Sequence, residues 1–200
     1  MKTSIKTLIT STLTAIFLST TALTVIASDP EKKPLKTYTI SHFRRISVTG
    51  NVEVKLIQRK NHGVIYAEDN TGIAKIIQEG DRLKISSSNN QPVKIIVYVN
   101  DIFRIEAAGN AIVKTDGKLS TQFLQIFLKG NAHAEINTST EGLYTVINDR
   151  ADLKLSGSTD QHTLVMGKSQ KLTIDKFAAL KTNISSIEND GIEKELASIN

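Results

Sequence analysis

The 200-residue chain contains no cysteine and no tryptophan, only three prolines, and 5% aromatic residues. The absence of cysteine excludes disulfide scaffolds, thiol enzymes, zinc–thiolate sites and lipid attachment at cysteine. Apolar residues make up 40% and charged residues 22% of the chain, which is typical of one globular domain of ordinary size. We therefore expect a domain whose stability rests on its apolar core alone.

The N-terminal residues predict export. Residues 1–27 form a secretory signal peptide, because two lysines precede an uncharged stretch over 8–26 and small residues mark the cleavage point. Threonine and serine interrupt that stretch, so it is a poor membrane span. Residues 28–37 predict an extended linker. The mature chain is expected in the periplasm or at the cell surface, without spanning the membrane.

Charge and motifs exclude several function classes. The formal net charge is +5 and falls to +3 when the leader and its two lysines are removed. No basic run with interleaved aromatics is present, so we predict no nucleic-acid partner. The four histidines lack the spacing of metal ligands, and no nucleophile elbow or dinucleotide-binding motif occurs. We therefore predict no cofactor and no metal.

Apolar residues alternate with polar ones from Tyr38 onward. Side chains at every second position share one face of a strand, so this spacing predicts strands. No stretch before Phe177 sustains the spacing of a helix, and the predicted class is all-β. The clearest alternating segments are 52–56, 83–85, 97–99 and 153–155.

A repeat recurs within these strands. Gly-Asn pairs begin at Gly50, Gly109 and Gly130, and Asp149 begins a fourth, divergent copy. Self-similarity at a fixed period is typical of repeat architectures, and here the period is about 20 residues. We therefore predict a β-solenoid over 38–180.

The long interval between the first and second Gly-Asn pairs is interpreted as a multiple of the same period. The interval from Val52 to Ala111 is read as three steps, with Ile73 and Val93 near the two intermediate positions. Each coil of the predicted solenoid then holds about 20 residues and stacks on the one before it.

Two further features follow from the repeat. Ala111, Ala132 and Ala151 occupy one position of it, which predicts a tight corner beneath the turn. Residues 181–200 form a tail in which Asp190 begins a candidate short helix, with an apolar stripe over 192–199. This tail either caps the last coil or extends from it.

Outward strand positions carry the candidate surface contacts. Lys114, Glu135 and Lys154 alternate in sign from one repeat to the next. Asp152 is expected beside His133, and opposite charges on neighbouring strands stabilise a sheet face. Tyr98 faces away from its buried neighbours and is the best placed aromatic residue. The candidate contacts are therefore Tyr98, Lys114, His133, Glu135, Asp152 and Lys154.

An enzyme is the main alternative to a binding surface. Hydrolysis of sugars uses two carboxylates, one of them with a raised pKa. Asp149 and Asp152, with His133 one repeat away, form the best available cluster. Each of these residues also lies at a turn or an outward position where charge is expected, so a structural role is the simpler interpretation.

The whole pattern resembles the bacterial head GIN domain family, described as autotransporter adhesins and as a domain of unknown function. The likeness covers residues 40 to about 180, including the opening segment 43–52, the recurring Gly-Asn-Ala units, and the segments 81–85 and 92–95. The resemblance implies a right-handed parallel β-helix that is exported or surface-exposed. It implies no enzyme activity and supplies no functional residues.

The functional hypothesis is a non-catalytic, adhesin-like domain that presents its sheet faces to a protein or glycan at the cell envelope. One alternative is a carbohydrate-active enzyme that uses Asp149, Asp152 and His133. Another is a self-assembling structural subunit of the envelope that stacks through its ends. The oligomeric state and the face that binds are left open by the sequence.

Overall fold

The structure, a computed structural model, describes residues 37, 38, 40–167 and 170–186. These residues form strands and no helix, as the alternating pattern predicts. The predicted leader, all but the last residue of the linker, and the tail residues 187–200 lie outside the described residues. The strands are β1 (Thr37–Tyr38), β2 (Arg45–Gly50), β3 (Val52–Gln58), β4 (Gly63–Tyr66), β5 (Lys75–Glu79), β6 (Arg82–Ser87), β7 (Val93–Val99), β8 (Arg104–Gly109), β9 (Ile112–Thr115), β10 (Leu119–Ser120), β11 (Phe123–Gly130), β12 (His133–Ile147), β13 (Asp152–Met166) and β14 (Lys171–Ser185).

The core lies on one face of the sheet. In β7 the alternate residues Val93, Ile95, Val97 and Val99 are buried, and the residues between them are partly exposed. Buried aliphatic side chains from most strands join in a single core. A full burial of one such side chain contributes roughly 1.5–3 kcal/mol. Because no helix among the described residues covers this face, the sheet curls on itself to bury it.

The sheet mixes parallel and antiparallel strands, so the predicted right-handed parallel β-helix is wrong. All fourteen strands belong to one sheet. Strand β4 runs antiparallel to both β1 and β7, and β5 runs antiparallel to β6. The remaining pairs are parallel. The architecture is a curled mixed sheet rather than a uniform stack of coils.

The order of strands overturns the predicted uniform coils of the β-solenoid. Strand β2 lies between β6 and β8, and β3 lies between β7 and β9. Val54 is opposite both Ile95 and Val113, so the interval read as three steps spans one strand spacing. Ile73, expected at an intermediate step, lies outside the strands and is 71% exposed. The physical reason is that spacing along a chain does not determine which strands become neighbours.

The C-terminal half keeps the predicted spacing. Strands β8, β11, β12, β13 and β14 pair in parallel, with partners one predicted repeat apart over most of their length. Ala111, Ala132 and Ala151 are fully buried. The N–H of His133 donates to the carbonyl of Ala111 at 2.9 Å, and that of Asp152 to Ala132 at 3.0 Å. The three alanines precede neighbouring strands, which confirms their predicted shared position.

The turn that begins each repeat needs a left-handed backbone. Gly50, Gly109 and Gly130 have φ of +84°, +73° and +76°, and Asp149 adopts +58° at the equivalent turn. Glycine reaches this region without steric cost, and aspartate is one of the few other residues found there. Asp149 is further held by its Oδ2, which accepts the N–H of Gly130 at 2.9 Å. The loss of glycine in the fourth repeat therefore leaves the turn intact.

Candidate functional site

Five of the predicted contact residues meet on the outer face of the sheet. The Nδ1 atom of His133 is 3.0 Å from Oδ2 of Asp152, and its Nε2 is 3.2 Å from Oε1 of Glu135. The Nζ atom of Lys114 is 4.0 Å from the same Glu135 oxygen. Lys154 lies directly opposite Glu135 on β13. We call these five residues the charged ladder.

The charged ladder continues onto the neighbouring strands. Lys114 lies 3.8 Å from Glu53, and Lys154 lies 3.6 Å from Asp175. The hydrogen bond from His133 and the nearby lysines lower the pKa of Glu135. These side chains are partly exposed, and such pairs each contribute about 0.2–1 kcal/mol. The charges of the ladder therefore satisfy one another.

The predicted catalytic cluster is only partly assembled. Asp152 contacts His133, but Asp149 is engaged in the turn by the N–H of Gly130. The backbone carbonyl of Asp149 also accepts a hydrogen bond from Nε2 of Gln170 at 2.8 Å. Oδ1 of Asp152 is buried with no hydrogen-bond partner in the described chain. These contacts give Asp149 a structural role at the turn.

Tyr98 lies apart from the charged ladder. It is on β7, which β3 separates from β9. Its neighbours Val97 and Val99 are fully buried, so its outward direction agrees with the alternating pattern. The guanidinium of Arg59 lies 4.3 Å from the centre of the Tyr98 ring, a cation–π contact. Tyr98 therefore belongs to a separate part of the outer face.

A second outer surface, absent from the sequence analysis, is built from three arginines on adjacent strands. Arg45 on β2 is opposite Arg82 on β6 and Arg104 on β8. Arg45 Nε donates to the Asp81 carboxylate at 2.9 and 3.0 Å. Glu106 Oε1 lies 3.4 Å from Arg82 and 3.5 Å from Arg104. We call the three guanidinium side chains the arginine row.

Aromatic side chains border the arginine row. The guanidinium of Arg104 lies 4.9 Å from the centre of the Phe127 ring, and its Nε donates to Gln125 at 2.8 Å. The rings of Phe127 and Tyr144 are 5.8 Å apart. Phe123, at the start of β11, is 50% exposed. This surface combines cationic forks with apolar rings, two groups that recognise ligands by different forces.

The sequence carries a weak signal for this row. An arginine precedes a buried aliphatic residue in 45–46, 82–83 and 104–105, at the start of three strands. The signal identifies a site only when β2 is known to lie between β6 and β8, which the spacing does not show.

The described surface includes two open concavities near the N-terminal strands. The larger, about 590 Å³, lies beside β5 and β6 and is lined by Thr49, Gly50, Ile73, Ala74, Lys75 and residues 86–89. The smaller, about 210 Å³, borders Glu53 and the Asp69–Lys94 ion pair. Within residues 37, 38, 40–167 and 170–186, no group of three His, Asp or Glu is arranged to hold a metal ion. A helix that could span a membrane is likewise absent from that part of the chain.

The fold and these surfaces define a class: an all-β domain that encloses its core in one curled sheet and exposes a charged outer face. The sequence model described as "Putative auto-transporter adhesin, head GIN domain" matches residues 42–187, and the chain belongs to this family. The resemblance predicted from the repeats is therefore confirmed. No curated protein matches the chain.

Several solved structures share the fold. A "putative adhesin" from Parabacteroides distasonis is 11% identical, with a TM-score of 0.57, over 76% of this chain and 77% of that chain. A "putative adhesin" from Parabacteroides merdae is 15% identical, with a TM-score of 0.55, over 76% of each chain. A "Putative lipid binding protein" from P. distasonis is 13% identical, with a TM-score of 0.56, over 76% and 77%. At these identities the likeness shows the fold alone.

Proposed function

We propose that this chain is an exported, non-catalytic, adhesin-like domain that presents the outer face of its sheet to a partner at the cell envelope. Of the two candidate partners, a protein or a glycan, we favour an acidic glycan on one observation. That observation is the arginine row beside Phe127 and Tyr144. The signal peptide, residues 1–27, supplies the proposed route of export.

The chemistry of the row matches acidic sugars. A guanidinium presents five N–H donors in a planar fork that binds carboxylate or sulfate through two parallel hydrogen bonds. Adjacent strands lie about 4.8 Å apart, which spaces the three guanidinium groups regularly along the sheet. The Arg45 fork binds Asp81, whereas Arg82 and Arg104 share one oxygen of Glu106, so the donors left for a ligand belong mainly to these two arginines. The rings of Phe127 and Tyr144 add apolar surface for the sugar rings. Many weak contacts in series suit a polymeric ligand.

The charged ladder and Tyr98 are proposed as flanking contacts. Their polar groups lie on the same outer face and can hydrogen-bond to sugar hydroxyls. Both surfaces are internally paired, but the three guanidinium groups of the row face only Asp81 and Glu106. The ladder's Lys114 and Lys154 face three carboxylates, those of Glu53, Glu135 and Asp175, so the excess of positive charge lies on the row. We therefore assign the larger share of binding to the arginine row.

Binding to a panel of polysaccharides tests the proposal. The purified protein is expected to bind uronate-rich or sulfated chains more tightly than neutral ones, with affinity that falls as salt rises. The variant Arg82→Lys/Arg104→Lys keeps the charges and loses the forks, and we expect at least tenfold weaker binding. The matched control Arg150→Lys makes the same exchange at an exposed turn outside both surfaces and should alter affinity less than twofold.

Several outcomes contradict the proposal. Equal affinity for neutral and acidic chains, or equal loss in both variants, would remove the arginine row as the contact. Tighter binding to anionic lipid vesicles than to the polysaccharides would instead favour a lipid ligand, as in the name of one structural neighbour. Turnover of a polysaccharide that is abolished by Asp152→Asn would show an enzyme.

A further inference from the structure

The last strand forms a long edge of the sheet. Strand β14 runs over Lys171–Ser185, and among the described residues it pairs only with β13. Three of its apolar side chains are exposed: Ile174 by 51%, Leu180 by 85% and Ile184 by 71%. A long edge strand with exposed apolar side chains is a template for pairing with another chain.

Pairing with β13 fixes which side chains of β14 face the core. Leu172 and Ile174 lie opposite the buried Leu153 and Leu155. Phe177 packs against the ring of His162, with centroids 5.6 Å apart. Further along the strand, three more residues lie opposite buried positions of β13, namely Ala179, Thr182 and Ile184. The core-side residues of β14 are thus partly exposed because no described strand lies beyond them.

We propose that a second copy of this chain pairs with β14 through its own β14, antiparallel and centred on Ala178. In this register Leu172 meets Ile184 of the second copy and Ile174 meets Thr182, and both are pairs of core-side residues. The arrangement has two-fold symmetry, which is the usual symmetry of dimers. It joins the two sheets into one and continues each core into the other.

Charge complementarity selects the same register. Asp175 lies opposite Lys181 of the second copy, and the symmetry repeats this pair on the other side of Ala178. A shift of two positions would place Asp175 opposite the core-side Ala179, or Lys181 opposite Phe177. Both shifts put a charge against an apolar side chain at the core edge. Of these three registers, only the one centred on Ala178 pairs Asp175 with Lys181. Leu180 then lies opposite Lys176 of the second copy, at the bulge where Lys176 has a φ of +52°.

Pairing would place two copies of the outer face on one particle. This inference does not depend on the proposed glycan, since it rests on β14 alone. A bivalent particle would bind a polymer more tightly than a single copy, so dimerisation also gives a reason for an open edge in a binding protein.

Sedimentation over a range of concentrations tests the pairing. The purified protein is expected to reach a dimer as concentration rises. Ile184→Lys places a charge at the core side of the edge and should lower the association constant at least tenfold. Ile73→Lys is the matched control, because Ile73 is also 71% exposed but lies outside β14, and it should leave association unchanged.

Two sets of variants test the register. Lys181→Asp should weaken the dimer, and Asp175→Lys/Lys181→Asp should restore it. Ala178→Cys should give a disulfide-linked dimer on mild oxidation, since the chain has no other cysteine and opposed residues lie within disulfide reach. A strictly monomeric protein, an equal effect of Ile73→Lys, or no cross-link at residue 178 would overturn the proposal. If the full chain is a monomer and deletion of residues 187–200 makes it a dimer, that segment and not a second copy covers β14 in the full chain.

Discussion

The two halves of the sheet are assembled by different rules. In the C-terminal half, β11, β12, β13 and β14 follow one another both in the chain and in space. In the N-terminal half, β2 and β3 lie between strands that come later in the sequence, with antiparallel strands beside them. The N-terminal half therefore depends on contacts between residues far apart in the chain.

The edge strands at the two ends of the chain differ in the same way. At the N-terminal end the outermost strands, β1 and β5, have two and five residues and run antiparallel to their neighbours. At the C-terminal end β14 has 15 residues with exposed apolar side chains. Short edge strands are one way in which proteins avoid unwanted pairing. Among the described strands, the short edges therefore lie at β1 and β5, and the long edge with exposed apolar side chains lies at β14.

The substitution with the largest expected effect disturbs the contact of β2 with β6. A Cβ on Gly50 would lie 2.0 Å from the carbonyl oxygen of Ser87 on β6, and φ at Gly50 is +84°. We expect Gly50→Ala to lower the free energy of unfolding by about 3 kcal/mol or more, seen as a loss of roughly 6–12 °C in Tm by calorimetry. Gly117 has φ of +87° with nothing within 4 Å, so Gly117→Ala should cost only about 1–2 kcal/mol. Equal losses would argue against close contact between β2 and β6.

The substitution with the next largest expected effect tests the packing in the C-terminal half of the sheet. Ala132 is fully buried beneath the turn between β11 and β12. We expect Ala132→Leu to reduce the free energy of unfolding by about 1–3 kcal/mol, because the added carbon atoms overfill a packed site. Ala67 lines an open concavity, so Ala67→Leu should stay within about 0.5 kcal/mol. Chemical denaturation measures both, and tolerance of leucine at residue 132 would contradict the tight corner.

A smaller effect depends on pH. Burial lowers the pKa of His162 from its usual 6.5, and Oγ1 of Thr145 lies 2.8 Å from its Nε2. The unfolded chain thus takes up a proton at higher pH than the folded one, so stability is lost as pH falls below about 6.5. We expect Tm to drop between pH 7.5 and pH 5, and His162→Gln to reduce that drop. An unchanged pH dependence would argue that His162 is not buried in its neutral form.

The smallest expected effect lies in the charged ladder. Glu135→Gln removes one member of a partly exposed set of pairs and should lower the free energy of unfolding by about 0.5 kcal/mol. Because the folded-state pKa of Glu135 is lowered, its contribution is present at neutral pH and lost in acid. The difference in Tm should shrink in 1 M salt, where exposed charges are screened. A loss of several kcal/mol would instead indicate a buried network.

Much of the strand pairing in the C-terminal half can be predicted from the sequence alone. Alternation predicts the strands because one side of each must be buried, and the spacing of the left-handed turns predicts the pairing of β12 with β13. The N-terminal half does not follow, because nothing in the residues around Val54 shows that its partners are Ile95 and Val113. The antiparallel strands are equally hidden, since alternation is the same in either direction.

The two outer surfaces also differ in how far the sequence predicts them. The charged ladder is predictable because Glu135 and Lys154 are one repeat apart in the chain and directly opposite each other in the sheet. The arginine row escapes the sequence because it needs Arg45 to lie between Arg82 and Arg104, which both come much later in the chain. The spacing of residues predicts contacts between consecutive strands. It does not predict the contacts made where an early strand lies between two later ones.

The central claim is that β2 lies between β6 and β8, which brings the arginine row together. Disulfide trapping tests it most directly, because the chain has no cysteine of its own. Thr49 is opposite both Ser86 and Ala108, so Thr49→Cys should cross-link in separate variants with Ser86→Cys and with Ala108→Cys. A uniform solenoid step would instead bring Thr49 beside Asp69. Cross-linking of Thr49→Cys with Asp69→Cys, and with neither of the other two, would contradict the account.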